Sequence, residues 1–194
     1  MSKINAVRLI NVNYNNNAYR ISDETLYFNG ESTLISLQNG GGKSVLVQML
    51  TAPFVHPRYR NTKDRLFESY FTTNKPSFIL VEWALDQGAG YVLTGLMVRK
   101  SQDMEEDRKE NLDIIGIVSE YQSPCIQDIH HLPVVEKGKK EMILKNFNSC
   151  RQLFETYKKD RDMKFFYYDL TNYAQSRQYF DKLMDCLLYT SDAA

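Results

Sequence analysis

Six consecutive residues, Asn39-Gly40-Gly41-Gly42-Lys43-Ser44, carry the residue types best suited to chemistry in this chain. Glycines let a backbone curl until successive N–H groups point at one centre, which makes a nest for an anion. A lysine beside that nest reaches the terminal phosphates of a nucleotide, and a serine hydroxyl next to it offers a ligand to Mg2+. By composition alone, a bare Gly-Lys-Ser/Thr arises by chance in roughly one chain of this size in ten. Requiring glycine at 40 and 41 as well takes the figure far below one in a thousand, as a rough estimate. The general pattern of such loops also has a glycine five positions before Gly42, where this chain has Leu37.

A phosphate loop works only between a strand and a helix, because the helix adds unpaired N-terminal donors and a positive dipole end. Both elements are predicted here. Thr33 to Leu37 reads as a strand that runs into the loop. Leu46, Met49 and Leu50 give the following segment one apolar face, and Pro53 ends it. Upstream, Ala6 to Val12 is β-branched and strand-like, an asparagine-rich loop follows, and a short strand is predicted at Thr25 to Phe28. Downstream, Ser77 to Leu85 and Tyr91 to Val98 predict an antiparallel hairpin across Asp86 to Gly90. A strand at Leu112 to Val118, a helix marked by Cys150, Leu153, Phe154 and Tyr157, an aromatic strand at Lys164 to Asp169 and a last helix from near Asn172 complete the pattern. Residues 101–111 and the Glu136 to Glu141 segment read as solvated loop or turn.

The totals exclude several classes. Twenty-four basic and 24 acidic side chains cancel, so bulk charge gives no sign of nucleic-acid binding. The basic residues between His56 and Arg65 read as a solvated face, with contact to DNA phosphates as the second reading. No apolar run approaches a membrane span. Three scattered cysteines fit reduced thiols in the cytoplasm better than a disulfide frame, and His130-His131 lacks the neighbours of a zinc site.

Leu37 to Ser44 resembles the phosphate loop of SMC and related ABC-type ATPases, matching at Asn39-Gly40 and Gly42-Lys43-Ser44. The strand with Arg8-Leu9-Ile10-Asn11 and the hairpin Phe78 to Gly95 are similar to the opening of the same heads, so the resemblance covers about residues 4–100. Bacterial SMC-like proteins of chromosome segregation, DNA repair and plasmid defence, MukB-like types included, carry this form of the loop. The resemblance implies an α/β fold of P-loop NTPase type, the N-terminal half of an ABC/SMC head with a mixed sheet and an antiparallel hairpin. It implies ATP and Mg2+ as ligands, held by Asn39, Gly40, Gly41, Gly42, Lys43, Ser44 and Val45, with Ser44 on the metal. Arg8, Asn11 and Tyr14 lie where such heads contact base or phosphates; for Arg8 a solvent-facing strand position is an equal reading. DNA, a C-terminal half-head of the same protein and a second head in a homodimer are the implied partners. In such proteins that second half brings the signature loop, the Walker B aspartate and the catalytic glutamate.

Two other readings stay open. A compact P-loop NTPase needs a carboxylate after an apolar strand, and Glu82 and Asp169 are the candidates. A nucleotide-binding interaction module without hydrolysis draws on Leu37 in place of the first loop glycine. The last nine residues, 186–194, match a translated sequencing adapter in one frame, which places the natural half-head at residues 1–185 and makes incomplete folding of that piece the expectation.

Overall fold

The computed structural model describes residues 2–63, 65–102, 111–138 and 142–189. Its strands are β1 (Lys3–Tyr14), β2 (Tyr19–Tyr27), β3 (Ser77–Ala84), β4 (Tyr91–Lys100), β5 (Leu112–Tyr121), β6 (Val135–Lys137), β7 (Met142–Leu144) and β8 (Lys164–Asp169). The helices are α1 (Lys43–Thr51), α2 (Phe147–Lys159) and α3 (Ala174–Tyr189). Six strands form one sheet in the order β2-β1-β3-β4-β5-β8, and β6 pairs with β7 apart from it. Every pairing among the described residues is antiparallel, so the expected mixed sheet is corrected to an antiparallel one. The predicted hairpin is present, with β3 and β4 paired from Ser77↔Val98 to Ala84↔Tyr91.

β3 is a run of apolar residues rather than an alternating one because both sheet faces are covered. Ile79, Val81 and Trp83 pack with Val7, Leu9, Val45, Met49, Phe67 and Phe180 under α1 and α3. Phe78 and Leu80 pack with Ile10, Ile117, Phe147, Cys150 and Phe154 under α2. The i, i+3, i+7 spacing of Phe147, Cys150 and Phe154 places all three on the buried stripe of α2. Asn146 caps that helix by accepting from the Ser149 amide at 2.8 Å, and Lys158 and Lys159 sit at its negative end. α3 seats on β5 at Gly116, where an added Cβ would stand 2.6 Å from the Phe180 ring. The six-stranded sheet therefore has a core on each side.

The strand predicted at Thr33 to Leu37 does not form. These residues have no strand partner among the described residues, and Leu34 is 94% exposed. β-propensity makes a segment ready to pair but cannot supply the neighbouring strand. β2 extends well beyond the predicted Thr25 to Phe28, because residues from Tyr19 onward complete the ladder with β1. The helix near the end continues through Tyr189, with Leu187 and Leu188 against the core and the Leu187 carbonyl accepting from Ser2 Oγ. Residues 190–194, most of the charged 101–111 stretch and Lys139 to Glu141 lie outside the described residues.

Between β5 and β6 the chain turns around a buried carboxylate. Asp128 accepts from the amides of Cys125, His130 and His131 and from His131 Nδ1 at 2.8 Å. Burial opposes ionisation of Asp128, but the His131 ring and these amides outweigh it and hold its pKa below the ordinary 3.8. A carboxylate depressed in the folded state adds stability that is full above its unfolded pKa. That stability is lost as pH falls through the folded value. Asp128→Asn is therefore expected to lower stability by about 1–3 kcal/mol at neutral pH. Its gap from the unaltered protein in urea midpoint should close as the pH drops below 3.8; a gap independent of pH would contradict this account.

Candidate functional site

Residues 38–44 form a tight loop leading into α1. The Gly41 amide closes a turn on the Gln38 carbonyl at 2.9 Å, and a Cβ at Gly41 would stand 2.9 Å from that same oxygen. Gly40 and Gly42 have φ of 81° and 87°, the left-handed region that side chains disfavour. Leu37 is absent from the left-handed residues, so the position where the general pattern has its first glycine needs none here. The departure is a change of residue without a demand for strain.

Gly42 is the N-cap of α1 and gives no side-chain cap, and the first turn holds no acidic residue. The N-terminal amides of the helix thus keep their capacity for an external anion. Lys43 Nζ spans the loop, donating to the Leu37 carbonyl at 2.9 Å and toward Asn39 Oδ1 at 3.5 Å. Lys43 and Ser44 are exposed, whereas Val45 is 1% exposed and belongs to the core with Met49 and Ala52. The expected role of Val45 at the ligand is therefore limited to its amide.

A cavity of about 310 Å3 opens over this loop, lined by Tyr14, Asn15, Asn39, Gly40, Gly42, Lys43, Ser44 and Arg65. Among the described residues two cations and no carboxylate line it, which favours an anion. A second cavity of about 620 Å3 shares Tyr14, Asn15 and Arg65 and continues along Asn16, Asn17, Leu66, Ser69, Tyr70 and Thr72. Asn15, Asn16 and Asn17 all have positive φ, a turn that asparagine tolerates better than other side chains. Thr72 fastens the turn, accepting from Asn13 Nδ2 at 3.2 Å and donating to Asn17 Oδ1 at 2.9 Å.

The segment carrying Arg65 is tied to the back of α1. Buried Gln48 donates to the Arg60 carbonyl at 2.6 Å and accepts from the Tyr70 hydroxyl at 2.6 Å. Arg60 Nε in turn donates to the Ala52 carbonyl at 2.9 Å. The basic stretch is accordingly split rather than one solvated face. Arg60 is buried, Arg58 lies over the Tyr59 ring at 4.5 Å, and Arg65 lines the same cavity as the glycine-rich loop. The sequence flagged Arg65 only as part of a charge run; its place beside Lys43 depends on how residues 56–70 fold back.

Arg8 does not reach this site. It alternates with Leu9, which puts it on the α2 face, opposite α1. There its guanidinium grips Asp23 at 2.7 and 2.8 Å and donates to the Ile129 carbonyl at 2.9 Å. Both of its predicted positions, at the nucleotide and in solvent, give way to this structural pair of a buried arginine and a half-buried aspartate. Glu82 and Asp169 also lie away from the cavity. Glu82 is buried, taking hydrogen bonds from Asn5 Nδ2 and the Tyr121 hydroxyl, and Asp169 accepts from the Thr171 and Asn172 amides. Among the described residues no group of three or more His, Cys, Asp and Glu could hold a metal, and no helix is long and apolar enough to cross a membrane.

Compared with family models the chain matches none, and no curated protein matches it. The site's own geometry carries the functional reading.

Proposed function

We propose that this chain binds ATP with Mg2+ through residues 39–44 as the phosphate-binding half of an SMC-like ATPase head, a P-loop NTPase unit. The carrying observation is convergence: Lys43, Arg65 and the uncapped start of α1 meet at one cavity that no carboxylate among the described residues lines. The amides and both cations would bind the phosphates, and Ser44 Oγ would hold the metal. The metal supplies charge neutralisation at the terminal phosphate. The adjoining cavity between Tyr14 and Thr72 has room for the nucleoside.

Hydrolysis calls for residues beyond this cavity, since neither Glu82 nor Asp169 lines it. That observation also disfavours the compact NTPase. The unpaired, exposed stretch around Leu34 and Ile35 supports a head completed by strands from a C-terminal half. The resemblance extends the proposal to a cytoplasmic protein whose paired heads act on DNA in chromosome segregation, repair or defence.

Calorimetric titration of the chain tests the core of this reading. ATP with Mg2+ should bind saturably, and inorganic tripolyphosphate should compete while adenosine should not. Absence of ATP binding, or competition by adenosine alone, would refute recognition through the phosphates.

A further inference from the structure

We infer that Asn11 is a positioning residue for this site, whose left-handed backbone turns the end of β1 over and places Tyr14 against the phosphate loop. The inference rests on the reading of residues 39–44 as a phosphate site.

A strand shows alternate residues to opposite faces. Along β1, Val7 and Leu9 pack on the α1 side, while Ala6 and Ile10 pack on the α2 side. Continued alternation would send Val12 and Tyr14 to the α2 side as well, away from the loop. Both instead pack in the cluster on the α1 side. The break falls at Asn11, which has φ 58° in the middle of a strand. The ladder with β2 skips it and keeps its register on either side, from Ile10↔Asp23 to Val12↔Ile21 and on to Tyr14↔Tyr19. The ladder with β3 stops just before it, at Ile10↔Phe78.

Asn11 is fully buried and does not line either cavity. Its Nδ2 donates to Thr73 Oγ1 at 2.9 Å, the Pro76 carbonyl at 3.1 Å and the Lys75 carbonyl at 3.3 Å. Its own carbonyl accepts from Ser77 Oγ at 2.6 Å. These bonds hold a backbone that costs energy in isolation, and Asn11 Oδ1 is left buried without a partner. The outcome of that local cost is at the site. Tyr14 stacks on Tyr19 with ring centroids 5.4 Å apart, and its ring stands 3.3 Å from where a Gly42 Cβ would be. One flipped residue thus turns a core strand into a wall of both cavities.

The experiment uses the full chain with Asn11→Gly, Asn11→Ala, Tyr14→Ala and the double variant of the two alanines. Two quantities are read: the Kd for Mg-ATP and the nuclear Overhauser contact between the Tyr14 ring and the Gly42 α-protons without nucleotide. Glycine accepts the left-handed backbone, so Asn11→Gly should keep the contact and hold affinity within about threefold. Asn11→Ala and Tyr14→Ala should each lose the contact and about tenfold in affinity, and the double variant should be no weaker than Tyr14→Ala. An Asn11→Ala protein that melts earlier yet keeps contact and affinity would make Asn11 merely structural. Should that variant not fold, loss of the contact in Asn11→Gly overturns the proposal by itself. If the unaltered chain binds no ATP, or binds it equally after Lys43→Ala, the phosphate-site reading is what fails. The ring contact still reports whether Asn11 places Tyr14.

Discussion

Lys43→Ala is expected to weaken Mg-ATP binding by at least about a hundredfold, equivalent to roughly 2.7 kcal/mol, with little change in the thermal melt. Lys43 is exposed and among the described residues reaches the Leu37 carbonyl and Asn39 Oδ1, so its removal there leaves no buried group unpaired. What it removes is one of two cations in a cavity that, among the described residues, has no compensating carboxylate. A hydrogen bond to an ionised phosphate is among the stronger polar contacts, and little else in the cavity replaces it. Arg65→Ala should act in the same direction by a smaller factor, because the loop amides and Lys43 remain. Side-by-side calorimetry with melting curves checks both. A Lys43→Ala protein that folds and binds ATP as tightly as the unaltered chain would remove the central support for a phosphate loop.

The second large effect is on stability. Glu82 sits in the middle of the sheet, 4% exposed, and takes hydrogen bonds from Asn5 and from the Tyr121 hydroxyl. Burial, followed by the hydrogen bond and charge of Glu82, drives the pKa of Tyr121 far above its ordinary value, so the tyrosine stays a donor. Glu82→Ala strands both donors, at a cost of about 1–3 kcal/mol each, and adds a cavity. The urea midpoint should fall by an amount equivalent to roughly 3 kcal/mol, with Mg-ATP affinity unchanged. The same variant separates two mechanisms. If Glu82 were the metal-positioning carboxylate of a compact NTPase, its loss would change metal-dependent ATP binding more than folding.

Much of the fold was legible in the residues. The β3–β4 hairpin announced itself by two apolar runs around Asp86 to Gly90, and α2 by the spacing of Cys150, Phe154 and Tyr157. Lys164–Asp169 was bounded correctly as a strand because its aromatic run ends at a turn. These are local signals, set by side-chain periodicity and turn chemistry. The glycine-lysine-serine loop was legible for the same reason, since it lies within six consecutive residues and the helix they open.

Other features were decided only by the packed structure. Thr33 to Leu37 has strand-forming residues and no strand, because a ladder needs a neighbour that local propensity cannot provide. The resemblance placed Arg8, Asn11 and Tyr14 alike at the nucleotide, with a solvent-facing position as the equal reading for Arg8. Alternation sends Arg8 to Asp23 on one face, while a single left-handed residue, Asn11, sends Tyr14 to the loop on the other. Arg65 became part of the site only when Gln48, Arg60 and Tyr70 pinned its segment to α1. By itself the sequence determined the glycine-lysine-serine loop and most of the elements that frame it. The tertiary structure decided which distant side chains stand beside those residues, because face, register and burial are properties of packed strands and not of any one segment.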